Sequence, residues 1–191
     1  MNICIYAASS GLANDAFTAA AQRLGAVIAQ RGHTLINGAG RTGLMAASTN
    51  GALAAGGETI GVIPQFMIDQ GWQHESMTRL IVTPDMHTRK ERMAAMADAC
   101  IALPGGVGTL EELLEVITWK QLGLFLKPIV VLNIDGYFSP LLAQLEHAVS
   151  EQLMRPLHTD LWCDTATPEE AVHLCETTPL WDKSLAKFAA I

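Results

Sequence analysis

Residues 101–112 of the chain read IALPGGVGTLEE and join a short apolar run to a three-glycine turn and then to a helical pattern. Glycine lets the backbone approach a ligand closely, and the first turn of a helix adds partial positive charge. We therefore expect a phosphate group to bind here, with Thr109 as a further donor. The turn lacks the lysine of a triphosphate-binding loop, and Glu111 stands where a dinucleotide-binding loop has its third glycine. The sequence predicts a site for one phosphate without an obligatory metal ion.

Strand-like and helical patterns alternate on both sides of this turn. Because strands separated by helices form parallel pairs, we predict an α/β fold with a parallel sheet and helices on both of its faces. We expect residues 1–191 to form one domain. Ligands of such sheets bind at the carboxyl ends of the strands. The irregular stretch 64–78 has the length of a lid or a substrate wall. Strands are predicted at 2–8, 33–37, 59–63, 79–83, 99–103, 128–133 and 161–163, and helices at 15–31, 44–55, 86–98, 110–122, 138–153 and 168–176.

The composition narrows the class of partner. The 191 residues are 50% apolar and 16% charged, which is typical of a globular domain, and the net charge of −7 argues against nucleic acid. The first residues lack the basic flank of a signal peptide, and no apolar run approaches the ~20 residues that span a membrane. We expect a cytoplasmic protein without a membrane partner. The four cysteines, which are widely spaced and form no C-x-x-C pair, agree with a reducing compartment: Cys4, Cys100, Cys163 and Cys175.

A second glycine loop, Gly38–Gly43, has the sequence GAGRTG and follows a predicted strand. It matches the G-x-G-x-x-G pattern of dinucleotide-binding proteins. The acidic residue that would hold a ribose belongs at the end of the next strand, whereas Glu58 precedes the strand at 59–63. We therefore expect no bound dinucleotide, and we assign no cofactor.

The helix that begins near Met86 carries methionines and arginines. Met86, Arg89, Met93 and Met96 share one side at helical spacing. Either Arg89 extends its stem past the methionines to solvent, or it directs a cation into the ligand cleft. The six histidines show no metal-ligand spacing, so we assign no metal.

Two interpretations of Glu112 remain open. Thr109 and Glu112 have the spacing of a capping box, which would give the carboxylate a structural role. Glu112 also shares a helix face with Val116 and Trp119, which a second subunit or another element could cover. The opposite stripe, predicted to face the core, contains Leu110, Leu113, Leu114 and Ile117.

Several segments together resemble one known family. PGGVGTLEE at 104–112 is similar to the PGGxGTxxE motif of the LONELY GUY (LOG) family of cytokinin riboside 5′-monophosphate phosphoribohydrolases. MHTRK at 86–90 and GAGRTGLM at 38–45 resemble its MHxRK and GGGxxGLM segments. TWKQLG, the following KP and NIDGYFSPLL also agree. The resemblance extends from about residue 2 to about residue 176.

The resemblance implies a Rossmann-like, doubly wound fold, a homodimer or larger assembly, and release of a free base from a nucleoside 5′-monophosphate. It implies catalytic roles for Arg89 and Glu112. The positions implied to bind the substrate are Lys90, Gly105, Gly106, Val107, Gly108, Thr109, Leu110, Glu111, Gly40, Gly43 and Met86.

The residue types suit cleavage of a base–ribose bond, which passes through an oxocarbenium-like sugar. Glu112, expected to stay ionised near the helix N-terminus, could stabilise that cation and orient water. Arg89 could position the sugar or grip phosphate. No residue in the sequence is an evident proton donor to the departing purine.

Departures from the family pattern leave alternatives open. Ala39 replaces a glycine, Ala7-Ala8 precede Ser9-Ser10 where Cys-Gly is usual, and Gln70-Gly71 stand where Arg-Glu is common. The alternatives are a general AMP nucleosidase and a nucleotide-sensing module without catalysis. Amino-acid decarboxylation would need pyridoxal phosphate on a lysine, and Lys90, Lys120 and Lys127 have no context that favours one.

Overall fold

The computed structural model describes residues 1–188 and contains one sheet of seven parallel strands. The strands are β1 (Asn2–Tyr6), β2 (Thr34–Asn37), β3 (Thr59–Pro64), β4 (Arg79–Thr83), β5 (Ala99–Ala102), β6 (Ile129–Leu132) and β7 (Cys163–Thr165). The helices are α1 (Asp15–Gln30), α2 (Gly43–Ala54), α3 (Gln65–Asp69), α4 (Met86–Met96), α5 (Val107–Gln121), α6 (Ser139–Ser150) and α7 (Pro168–Thr177).

The sheet has the order β4-β3-β2-β1-β5-β6-β7, so the chain builds outward from β1 in one direction and from β5 in the other. This doubly wound arrangement confirms the predicted fold class. Its topological switch lies between β1 and β5, which are neighbouring parallel strands with Cys4 and Cys100 side by side in the register. A doubly wound sheet opens a crevice at that point, outside the carboxyl ends of the strands.

Alternate residues of each strand supply two cores, one on each face of the sheet. Ile3 and Ile5 of β1 pack with Leu24 and Ile28 of α1, on the face that also carries α2 and α7. On the other face, Cys4 and Tyr6 join the buried residues of α4 and α5. The period of two along each strand therefore sorts the helices into two layers.

Several sequence-based boundaries were wrong. A short helix, α3, lies within the stretch predicted to be irregular. The last strand is Cys163–Thr165, because residues 156–161 form a 3-10 turn. The α5 helix begins at Val107 rather than at residue 110. No segment that could cross a bilayer occurs among the helices of residues 1–188.

The capping box proposed for α5 was also wrong. Gly106 is the N-cap, and no side chain caps this end of the helix. The predicted core stripe needs correction as well, because Leu114 is exposed whereas Val116 is buried against the sheet. The buried stripe contains Leu113, Val116 and Ile117.

Candidate active site

Arg89 lies in the second turn of α4, and its side chain is only 7% exposed. Asp85 begins the helix by accepting a hydrogen bond from the Thr88 N–H at 2.7 Å. The Arg89 Nε donates to the Val62 carbonyl at 3.1 Å, and Nη1 donates to Glu112 Oε1 at 2.7 Å. A buried arginine with two fixed acceptors is pre-oriented, and of the two interpretations of Arg89 the geometry favours the one in which its guanidinium is directed into the cleft.

Gly38 makes room for this guanidinium. A Cβ built on Gly38 would lie 1.7 Å from Arg89 Nη2, which no side chain could tolerate without displacing the arginine. The first glycine of the GAGRTG segment therefore leaves free the space that the Arg89 guanidinium occupies. The loop continues through Ala39, whose φ of 58° is in the left-handed region that favours glycine. Asn37 Oδ1 holds that turn by accepting the Ala39 N–H at 2.8 Å.

Glu112 lies one and a half turns into α5, and its side chain is 12% exposed. Burial raises the pKa of this carboxyl above its ordinary value, while the Arg89 guanidinium opposes the rise. The expectation that the helix N-terminus alone keeps Glu112 ionised was therefore incomplete. Desolvation dominates, and Arg89 is the partner that favours the charged form. A carboxyl whose pKa is raised in this way is a stronger base than an ordinary glutamate.

The first turn of α5 faces solvent at the mouth of the crevice. Gly106, Val107 and Gly108 are exposed, whereas Thr109 is buried beneath Gly105. A Cβ on Gly105 would lie 2.1 Å from Thr109 Oγ1, so this close contact requires glycine. The exposed residues of this turn leave room for an anion at the helix N-terminus, where the phosphate site stays a prediction. The Thr109 hydroxyl packs inside the loop, which places it less favourably for a ligand than expected.

Tyr137 anchors this loop from the far side of the crevice. Its hydroxyl donates to the Gly105 carbonyl at 2.6 Å, and its ring packs edge-on against Phe17. Sequence reasoning gave this tyrosine no role, although it lies in the NIDGYFSPLL segment. Its contact fixes the turn before α5 from outside that helix.

A cavity of about 450 Å³ adjoins Arg89 at the carboxyl edge of the sheet. Its walls are mainly apolar and include Met45, Ile63, Met67 and Trp72. Arg89, Ser9, Gly38, Gly40, Arg41 and Thr42 complete the lining. Of the residues predicted to bind substrate, Gly40 lines this cavity.

Two further positions predicted from the resemblance lie outside this lining. Gly43 has a φ of 66° and packs tightly on the backbone of the Ser9–Ser10 loop. Met86 is exposed at the beginning of α4. Sequence reasoning expected a lid or a substrate wall in the stretch 64–78 but assigned no site role to any single side chain there, and Met67 and Trp72 are the two that line the cavity.

That stretch forms a fixed wall, not a free lid. The Arg41 N–H donates to the Trp72 carbonyl at 3.0 Å, and the His74 N–H donates to the Ala39 carbonyl at 2.8 Å. A β-bridge joins Gly40 to Gln73 between these two bonds. The segment after α3 is therefore attached to the GAGRTG loop, and the two together enclose the cavity.

Lys90, which follows Arg89, takes a different set of partners. Its Nζ donates to Glu111 and, at 3.1 Å, to Glu115. Glu111 is 51% exposed, so this cluster lies at the rim of the site. Leu110 is half-buried and packs against the core beneath α4 and α5. Within residues 1–188, no group of three or more acidic, histidine or cysteine side chains is placed to hold a metal ion.

Comparison with known proteins adds independent findings. A family model described as possible lysine decarboxylase matches residues 45–175. A probable cytokinin riboside 5′-monophosphate phosphoribohydrolase from Oryza sativa subsp. japonica is 39% identical over 186 residues, which are 97% of this chain and 76% of that protein. A cytokinin riboside 5′-monophosphate phosphoribohydrolase from Rhodococcoides fascians is 47% identical over 137 residues, 71% of this chain and 69% of that protein.

A solved structure shares the fold over most of the chain. The molybdenum cofactor binding protein from Rippkaea orientalis superposes with a TM-score of 0.69 at 25% identity, covering 92% of this chain and 94% of that one. One fold thus serves proteins named for hydrolysis and a protein named for binding. The assignment of function must therefore come from the site.

Proposed function

The chain belongs to the LONELY GUY (LOG) family of cytokinin riboside 5′-monophosphate phosphoribohydrolases, and from that premise we propose which bond it cleaves and which residues do so. It is a hydrolase of N-glycosyl bonds that acts on N6-substituted adenosine 5′-monophosphates and releases the free base and ribose 5-phosphate. The observation that carries this proposal is the buried Arg89–Glu112 pair. The pair lies between a helix terminus suited to an anion and an apolar cavity. These three environments match, in this order, the phosphate, the ribose and the base of a nucleotide.

The nucleotide is placed by matching its three parts to these environments. The phosphate binds the exposed N–H groups of the turn Gly105–Thr109, where the positive end of α5 favours an anion. The ribose lies over Arg89 and Glu112. The base enters the cavity lined by Met45, Met67 and Trp72. Lys90, Leu110, Glu111, Gly40, Gly43 and Met86 complete the proposed substrate-binding set.

The proposed reaction is attack by water at C1′ of the ribose. The C1′–N9 bond breaks while positive charge develops on the sugar, and the Glu112 carboxylate lies where it stabilises that charge. Glu112 also accepts the proton that water releases as its oxygen bonds to C1′. Its raised pKa strengthens it as a base. Arg89 fixes the orientation of the carboxylate and contacts the sugar hydroxyls.

The character of the cavity supports an apolar substituent on the base. Thioether and indole walls offer dispersion contacts to an isopentenyl group and few fixed acceptors for a bare exocyclic amine. We expect isopentenyladenosine 5′-monophosphate to be cleaved with a higher kcat/KM than AMP.

The test is to incubate the purified chain with each nucleotide and to follow free base by chromatography, with Glu112→Gln as the inactive control. Release of base by the wild type alone supports hydrolysis, and the ratio of the two rates identifies the preferred substrate. Nucleotide binding without release of base would instead favour a nucleotide sensor. Equal rates would favour a general AMP nucleosidase.

Decarboxylation, which the description of the family model suggests, is disfavoured by the lysines. Lys90 is paired with two carboxylates, and Lys127 donates to the Ala97 carbonyl. Lys120 is buried on the far end of α5 beneath the Trp181 ring. None of the three lines the cavity beside Arg89. A cofactor bound as a Schiff base therefore has no candidate lysine there.

We also propose that the chain forms a homodimer through the outer faces of α4 and α5. A groove of about 860 Å³ between these helices is lined by Ala94, Trp119 and the exposed Leu124 and Leu180. Light scattering after size exclusion measures the assembly. Leu124→Glu should dissociate it, whereas Leu12→Glu, at a leucine outside the groove, should not.

We propose a cytoplasmic location, which agrees with the four unpaired cysteines.

A further inference from the structure

Hydrolysis also requires a group that stabilises the departing base, and the roles proposed for Arg89 and Glu112 do not include this. When the C1′–N9 bond breaks, its electron pair passes to the purine, and that charge must be stabilised by a hydrogen-bond donor or a proton. Glu112 is an acceptor when ionised. Arg89 donates Nε to the Val62 carbonyl and Nη1 to Glu112, and the proposed function assigns its remaining donors to the sugar hydroxyls. The base cavity must therefore supply another donor.

Arg41 is the second arginine of that cavity, and its guanidinium is uncommitted. No ion pair or hydrogen bond joins this side chain to another residue within 1–188. Its backbone is nevertheless fixed, since the Arg41 N–H donates to the Trp72 carbonyl at 3.0 Å. A charged side chain on an anchored backbone, at the mouth of an apolar cavity, is available to a ligand.

The other polar groups of the cavity are weaker candidates. Thr42 Oγ1 donates to the Ser9 carbonyl at 2.6 Å and is thereby occupied. The Ser9 hydroxyl and the Trp72 indole are neutral donors. A cationic donor stabilises developing negative charge roughly twice as well as a neutral one. Arg41 is therefore the best suited of these groups to face a departing base.

We propose that Arg41 is a catalytic residue that donates a hydrogen bond to a ring nitrogen of the departing purine. The inference rests on the proposed function, which directs the phosphate to the first turn of α5 and the base to the cavity. Because Arg41 lines the cavity assigned to the base, it contacts the base and not the phosphate. The GAGRTG sequence places it there, since the same loop supplies Gly38 beneath Arg89 and Gly40 in the cavity wall.

The step balances without a further reactant. The C1′–N9 bond breaks and its electron pair moves into the purine, while a water oxygen bonds to C1′ and passes a proton to Glu112. Arg41 keeps its own proton, because a guanidinium is not deprotonated in proteins, and it stabilises the purine anion by a charge-assisted hydrogen bond. The anion then takes a proton from solvent water, and Glu112 returns its proton to solvent.

The test compares Arg41→Ala with the wild type on the 5′-monophosphates of adenine, hypoxanthine and 6-chloropurine, whose free bases differ in acidity. We expect kcat for AMP to fall by about a hundredfold, the scale of general acid–base effects, with KM changed less than about threefold. The loss should shrink as the leaving base becomes more acidic, because a better leaving group needs less help. Arg41→Lys should restore part of kcat.

One control variant and three contrary outcomes complete the experiment. Arg79→Ala removes another exposed arginine, at the edge strand β4, and should change neither constant. A rise in KM alone, absent with the unphosphorylated nucleoside, would assign Arg41 to the phosphate and overturn the inference. An unchanged kcat would overturn it as well. A wild type that releases no base from any nucleotide would contradict the proposed function itself, whatever Arg41→Ala does.

Discussion

Arg89 and Lys90 are neighbours on α4, and each contacts acidic side chains of α5, but the acidic partners differ in their exposure to solvent. The Arg89–Glu112 pair, here the cleft pair, has side chains that are 7% and 12% exposed. Lys90, Glu111 and Glu115 form the rim cluster, in which the side chains are 12%, 51% and 23% exposed. Neighbours on a helix point about 100° apart. One step along α4 therefore separates a buried pair in the crevice from a cluster whose carboxylates are partly solvated.

The comparison shows why residue type alone does not identify a catalytic pair. Both pairs join a basic residue of α4 to an acidic residue of α5, and both contain hydrogen bonds. Burial raises the pKa of Glu112, whereas water surrounds Glu111. Electrostatic interactions strengthen where water is excluded. We therefore expect changes to the cleft pair to abolish chemistry, and changes to the rim cluster to have small effects.

The largest expected effect is that of Glu112→Gln. The amide keeps the shape of the side chain but cannot accept the proton of water, so kcat should fall at least about a thousandfold. Nucleotide affinity, measured by calorimetry, should stay within a few-fold of the wild type. Glu115→Gln is the matched control in the rim cluster and should retain activity. A Glu112→Gln protein with normal turnover would remove Glu112 from the mechanism.

Arg89→Ala should weaken both binding and turnover. It removes the contact to the sugar and leaves the buried Glu112 without its partner. We expect kcat/KM to fall about a hundredfold or more, and the free energy of unfolding to drop by roughly 3 kcal/mol. Steady-state kinetics and urea unfolding measure the two effects. Kinetics equal to those of the wild type would show that Arg89 is only structural.

Gly38→Ala should disrupt the cleft pair although neither Arg89 nor Glu112 is replaced. The new methyl group would overlap Arg89 Nη2, so the guanidinium must move away from Glu112. We expect kcat/KM to fall roughly tenfold to a hundredfold, because small misplacements of catalytic groups are costly. Gly11→Ala, where a Cβ meets open space, is the control. If Gly38→Ala kept full activity, the orientation of Arg89 would not matter.

The pH dependence should report the pKa of Glu112. This pKa is raised above the ordinary value of 4.5, since desolvation outweighs the attraction of Arg89. The base works only when ionised, so kcat/KM should be lost as the pH falls through that raised pKa. Replacing Arg89 removes the opposing charge and should move the acidic limb of the profile to still higher pH. A limb at or below 4.5 would contradict the pKa direction derived from burial.

The smallest effect is expected from Lys90→Ala in the rim cluster. The resemblance implies that Lys90 binds the nucleotide, and its two carboxylate partners already neutralise its charge. We expect KM to rise no more than about threefold, and the free energy of unfolding to fall by about 1 kcal/mol or less, as for solvated ion pairs. Enzyme kinetics and urea unfolding measure both. A tenfold rise in KM would show that Lys90 leaves its partners to contact the phosphate.

Much of the fold was accessible from the sequence, because strands and helices differ in hydrophobic period and are separated by glycine and proline. Every predicted strand from 2–8 to 128–133 overlaps one in the structure. The last strand overlaps only at Cys163, where three short residues carry little periodicity. The α5 boundary was displaced because the N-cap is Gly106, which has no side chain to mark the beginning of a helix.

For the candidate site, the sequence indicated Arg89 as a cation on an apolar face and Glu112 as a carboxylate on a partly apolar face. The structure brings these two residues together. It also adds Arg41, a residue of the GAGRTG loop whose side chain had been given no role, and two residues of the irregular stretch 64–78, Trp72 and Met67. Their stretch has no regular pattern, and its contact with the GAGRTG loop is made by backbone groups that any residue could supply.

The sequence by itself determined the two-layer α/β order, the glycine turn before α5 and the chemical types at positions 89 and 112. These are local properties, since propensity and glycine geometry act over a few residues. Only the tertiary structure decided which charges are buried together, how far Glu112 is desolvated and that the Arg41 side chain, beside the cavity, forms no hydrogen bond or ion pair within residues 1–188. Those properties depend on contacts between residues distant in the chain, such as the hydrogen bond from Arg89 to the Val62 carbonyl, and no local pattern encodes them.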